Sequence, residues 1–148
     1  MRATLRVVTL GCVLSIAGFA NADDHSPIKQ RQDLMQDTRK AASPVGKMLR
    51  GDVEFDADVF LESMNVFLTV GTQYGDLFPD DSRFGEGTEA APAIWSDREG
   101  FNKKIDQWVT AARAAVDAAP TTLDDARPLA GQVLRSCKGC HDGYRIDD

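Results

Sequence analysis

Leu129-Ala130-Gly131-Gln132-Val133-Leu134-Arg135-Ser136-Cys137-Lys138-Gly139-Cys140-His141-Asp142-Gly143-Tyr144-Arg145 carries a helical pattern and a chemical one on the same residues. Leu129, Val133, Cys137, Cys140, His141 and Tyr144 recur at spacings of three and four, so on an α-helix they share one face. Within that face Cys137, Lys138, Gly139, Cys140 and His141 read as C-x-x-C-H, the attachment signature of a covalently bound haem. Two thiols at this spacing add across the two vinyl groups of one porphyrin, and the adjacent imidazole is placed to ligate the iron. A haem on one face of a helix must be enclosed by other helices, which points to a bundle.

Two other readings of the pair of cysteines are weaker. A zinc site needs four ligands, and beyond residue 22 the chain offers Cys137, Cys140, His141 and a remote His25, leaving no fourth ligand near the motif. A thioredoxin-like redox pair needs a strand before it and a helix after it, whereas here a helical pattern runs through the motif.

The start of the chain differs from the rest. Arg2 and Arg6 precede an apolar run over 7–20, and Ala20-Asn21-Ala22 is an A-x-A cleavage site, so residues 1–22 read as a secretory leader that is removed. Cys12 lies inside this run and goes with it. The run is too short for a membrane span, and no later stretch approaches the roughly 20 apolar residues that spanning needs. Residues 23–148 are the size of one domain with a single core. Losing Arg2 and Arg6 turns the 17 basic and 23 acidic residues of the whole chain into 15 and 23, a formal −8. That sign argues against nucleic acid and for small molecules or a redox protein partner with a positive patch. Export to the periplasm suits the motif, because covalent attachment uses reduced thiols of an unfolded chain outside the cytoplasm.

Four amphipathic stretches follow, and no stretch alternates with period two. The first starts at Ser26-Pro27 with an apolar face of Ile28, Leu34, Met35, Thr38 and Ala42, and Pro44 predicts a kink or restart. The second starts at Asp56 and carries Val59, Phe60, Met64, Phe67, Leu68 and Gly71. A segment of about twenty residues, 75–95, is rich in Gly, Pro, Asp and Glu and reads as a functional loop or long crossover. Ser96-Asp97-Arg98-Glu99 then forms a capping box before a stripe of Phe101, Ile105, Trp108, Val109, Ala112 and Val116. The fourth stretch begins between Thr122 and Asp125, with Pro128 awkward inside it. The expected fold is all-α, an antiparallel four-helix bundle with covalently bound haem.

A C-x-x-C-H near the end of the chain, followed by an aromatic residue and Arg145, resembles the class II c-type cytochromes, the group containing cytochrome c′. Arg31-Gln32 with Met35, the stretch Phe84-Gly85-Glu86-Gly87-Thr88-Glu89, and Pro92-Ala93-Ile94-Trp95-Ser96-Asp97 agree in order, so the likeness spans 28–145. The resemblance implies heme c attached through Cys137 and Cys140, with His141 as the iron ligand. It places Arg31 and Gln32 at the haem edge, the guanidinium pairing with a propionate by two hydrogen bonds. It brings Thr88 and Glu89 to the haem from the loop, Met35 over the distal face, and Arg145 to the proximal side.

With no second His in the folded region, the sixth iron position is either open or taken by Met35, with Met48 and Met64 as poorer candidates. The Gly-Thr-Glu loop resembles cytochrome c′, which implies an electron carrier with a five-coordinate, high-spin haem able to bind NO or CO in an apolar pocket lacking hydrogen-bond donors. The alternative is a low-spin electron-transfer cytochrome with Met35 as sixth ligand. Peroxidase or nitrite-reducing chemistry needs a distal proton-transfer group, usually His, so the chain is not expected to be an enzyme. The faces of the first two helices can also pair two copies as a homodimer.

Overall fold

The computed structural model describes residues 26–85 and 87–146. The leader assignment for residues 1–22, Cys12 and His25 lie outside the described residues.

Five helices occupy most of this span: α1 (Pro27–Arg50), α2 (Ala57–Tyr74), a single turn α3 (Ala93–Ser96), α4 (Arg98–Ala118) and α5 (Leu123–Tyr144). Their starts are chemically specified. Ser26 accepts from the Lys29 backbone N–H at 3.2 Å ahead of Pro27, Asp56 accepts from the N–H groups of Asp58 and Val59, and Thr122 accepts from that of Asp125. Each side-chain oxygen satisfies donors that the first helical turn leaves without partners. α1 stops at Gly51, whose φ of +79° and N–H bond to Met48 O form a left-handed cap that costs glycine little.

Three expectations change. Ser96 closes α3, so the cap of α4 is Asp97, whose carboxylate accepts from Gly100 N. Neither Pro44 nor Pro128 restarts a helix: α1 and α5 run unbroken through them. Each proline removes one helical donor at a cost of about 3 kcal/mol. Val45 and Met48 beside the first, and Ala126 and Ala130 beside the second, are buried in the core, and that packing holds the helices continuous. The apolar face of α1 is also turned. Thr38, Ala41, Val45 and Met48 are buried, whereas Ile28, Leu34, Met35 and Ala42 are only partly covered.

The reason for the turned face is an opening in the bundle. α1 packs on α2, α2 on α4 and α4 on α5, but α1 meets α5 sparsely. This is a four-helix bundle with one loose seam, and α3 is a turn in the crossover that feeds α4. Phe60, Met64 and Phe67 of α2, Phe101 of α4 and Val133 of α5 fill the core with essentially no exposure. Rings continue from it toward one end: Phe78 meets Phe101 edge-on at 4.9 Å between centroids, and Phe101 meets Tyr144 at 5.4 Å. Such pairs contribute about 0.5–1.5 kcal/mol each beyond the area they bury. Among the described residues no helix is long and apolar enough to cross a membrane.

Candidate haem site

A cavity of about 770 Å³ fills the seam between α1 and α5, within the range of roughly 300–1,000 Å³ usual for bound organic molecules. Its walls include Arg31, Gln32 and Met35 from α1, Thr88 and Glu89 from the crossover, and Cys137, Cys140, His141 and Arg145 from α5 and the residue after it. Helical spacing aligns the α5 group, and the crossover reaches the cavity because its two ends are tied down. Ala91 N donates to Tyr144 O at 3.1 Å, Ile146 N donates to Glu89 O at 2.8 Å, and Arg145 lies 3.7 Å from the Glu89 carboxylate.

Arg31 makes the second tie. Only 4% exposed, it donates from one terminal nitrogen to Leu77 O and Ser82 Oγ and from the other to Ser82 O and Thr88 Oγ1, at 2.9–3.2 Å. Its guanidinium also stacks 4.5 Å above the Phe78 ring. Burial lowers its pKa from the ordinary guanidinium value, with Tyr74 opposing that shift. All four of these hydrogen bonds run to the crossover segment. Those N–H groups are committed to the loop, and Arg31 brings charge rather than free donors to the cavity. Gln32 does similar work, donating from its amide to Gly87 O at 2.7 Å.

Both thiols are half-buried and unpaired as a disulfide. Burial pushes Cys137 up, and pushes Cys140 up to about 11. Neither is a lowered, attacking thiol of the kind a redox pair requires. Among the described residues no cluster of three or more His, Cys, Asp or Glu could hold a metal ion by itself.

The remaining wall suits a porphyrin. Phe67, Ile94, Phe101, Ile105 and Leu134 give it large apolar surfaces, two thiols and an imidazole stand at one side, and the buried Arg31 has no carboxylate partner among the described residues. Trp108, also in the wall, holds the buried side-chain polar atom that has no hydrogen-bond partner among the described residues, its indole N–H. With Tyr74 it means that the wall is not free of donor groups, contrary to the expectation of a pocket without them. Met48 and Met64 are buried in the core away from the cavity, so they drop out as iron ligands and Met35 remains.

The family profile described as cytochrome C′ matches residues 26–145. The chain belongs to the cytochrome c′ family. Cytochrome c′ from Rhodopseudomonas palustris is 36% identical over 144 residues, covering 95% of this chain and 96% of that one. The solved structure of cytochrome c′ from Rhodopseudomonas palustris superposes with a TM-score of 0.80 at 31% identity, over 84% of this chain and 98% of the other. A nitric oxide complex of a mutant cytochrome c′ from Alcaligenes xylosoxidans superposes at 0.72 with 28% identity, over 82% and 94%. Cytochromes c′ are haem carriers rather than enzymes, and this one carries heme c covalently through Cys137 and Cys140.

Sequence reading missed a clasp behind the site. Tyr144, one turn after Cys140, donates its hydroxyl to the Asp97 carboxylate at 2.7 Å while the same carboxylate caps α4 through Gly100 N at 3.1 Å. The bond holds Asp97 below the usual carboxylate range and lifts Tyr144 to about 12. Its contribution is therefore complete above the ordinary aspartate value of about 4 and fades as acid protonates Asp97. It persists to the ordinary tyrosine value of about 10 and is lost as pH rises through about 12.

Gly100 leaves room for this pair: a Cβ there would stand inside van der Waals distance of the Asp97 carboxylate and the Tyr144 hydroxyl. Glycine to alanine in a helix ordinarily gains up to about 1 kcal/mol. Gly100→Ala is expected instead to lose about 1–2 kcal/mol through overpacking, measured by urea unfolding.

Proposed function

We propose that this cytochrome c′ is an exported carrier of single electrons whose iron, held by His141, keeps its sixth position open and takes nitric oxide or carbon monoxide. The observation that carries the reading is the composition of the cavity wall. Among the described residues, and apart from the attachment residues and His141, Met35 is its one sulfur side chain and it contains no second imidazole. A half-buried thioether on α1 can crowd the iron without binding it. The nitric oxide complex known for the relative from Alcaligenes xylosoxidans supports gas capture here.

Residues 1–22 direct export to the periplasm and residues 23–148 fold as one haem-binding domain in this reading. The acidic surface then favours a redox partner with a positive patch, and two copies pair through α1 and α2. When bound, the haem supplies the one-electron couple and the gas-binding metal. The chain supplies two thioether anchors, an axial imidazole, large apolar side chains such as Phe67, Ile94 and Phe101, and the charge of Arg31.

Visible and EPR spectra of the oxidised and reduced protein test this. High-spin spectra in both states, with new bands on adding CO or NO, are expected. A low-spin spectrum with a sulfur-to-iron charge-transfer band contradicts the open site. In this second reading the Met35 sulfur, which lines the cavity, closes the iron for electron transfer alone, and Met35→Ala would then convert the spectrum to high-spin.

A further inference from the structure

Tyr74 ends α2 in the cavity wall. Its ring is fixed by edge contacts, 5.3 Å from the Phe78 centroid and 6.1 Å from that of Trp108. Its hydroxyl makes no hydrogen bond to any described residue, and it is not among the buried atoms sealed without a partner, so it is open to the cavity. Burial lifts its pKa to about 12, so the hydroxyl keeps its proton, and the ionisable groups around it are Arg31, Cys140 and Glu89.

A porphyrin filling this cavity has polar atoms in two places, its carboxylate side chains and the open face of its iron. Cys140 becomes an uncharged thioether in the haem-loaded protein, and Glu89 lies beside Arg145. Arg31 then dominates the field at Tyr74 and attracts a carboxylate. Its terminal N–H groups already point at Leu77, Ser82 and Thr88. A carboxylate drawn there finds charge but needs a donor, and the free hydroxyl of Tyr74 is one.

We infer that Tyr74 binds the haem by donating its hydroxyl hydrogen bond to a haem carboxylate beside Arg31. The bond favours the ionised carboxylate and draws its charge away from the iron, which raises the midpoint potential. This inference rests on the haem occupying the cavity.

Tyr74→Phe removes the hydroxyl and little else. The haem-loaded variant, its covalent haem confirmed by intact mass, is compared with the unsubstituted protein by potential measured against pH and by the carboxylate bending bands in resonance Raman spectra. The expected result is a shifted carboxylate band, a lower potential, and a carboxylate about tenfold weaker as an acid, seen as a pH dependence that begins higher. An unchanged band and an unchanged potential–pH curve overturn the inference. So does an effect confined to NO or CO dissociation, which would put the hydroxyl over the iron. Unsubstituted protein lacking haem overturns the haem reading itself and is distinguished by the same mass measurement.

Discussion

Replacing His141 by glycine is expected to leave the haem attached through Cys137 and Cys140 but to remove the imidazole proposed as its axial ligand, so that the visible spectrum changes completely while the intact mass still includes haem. Free imidazole at millimolar concentration then restores the original spectrum, because the vacated space accepts the missing ring. The side chain at 141 is on the exposed edge of α5 at the cavity rim, so the substitution creates no core void and its cost from glycine in a helix stays at about 1 kcal/mol. A variant whose spectrum matches the unsubstituted protein would show that another residue holds the iron. Covalent attachment and axial ligation are thereby separated: the cysteines fix where the haem is, and the imidazole fixes what its iron can do.

Arg31→Ala is expected to cost roughly 3 kcal/mol or more, given that hydrogen bonds to charged groups contribute about 1.5–3 kcal/mol each and buried partners are left unpaired. Leu77 O, Ser82 O, Ser82 Oγ and Thr88 Oγ1 all lose a donor at once. Against a total stability of about 5–15 kcal/mol for a domain, that loosens the crossover and with it the Thr88 and Glu89 wall of the cavity. Arg31→Lys recovers little, because an ammonium is one point of charge and cannot span four acceptors and the Phe78 ring together. Urea unfolding measures the loss. Hydrogen exchange locates it, with faster exchange expected at Ser82 and Thr88 than in α2.

The α2, α4 and α5 stripes were legible because their apolar residues face other helices, and burial of Phe60, Met64, Phe67, Phe101, Ile105 and Val133 follows their spacing. α1 was legible as a helix but not in its burial. Ile28, Met35 and Ala42 face a cavity sized for a cofactor, and a stripe built to touch a porphyrin has the same period as one built to touch protein. The loop contacts of Arg31 were not legible for the converse reason: the acceptors that engage its guanidinium lie about fifty residues away in a segment without periodicity. The Asp97–Tyr144 clasp joins residues 47 apart, and no local pattern announces it. Tyr74 continues the Phe67 and Gly71 face by one more turn, a signal obscured by the neighbouring Gly75. The site itself was legible because C-x-x-C-H encodes its chemistry in five consecutive residues.

Intact-mass spectrometry of the protein recovered from an organism that exports it tests the central claim most directly. The expected species begins at Asp23 and carries the mass of one haem, retained on the peptide that contains Cys137 and Cys140 after proteolysis and acid extraction. A species with the unmodified polypeptide mass, or one whose haem extracts freely, would contradict a porphyrin bound covalently between α1 and α5.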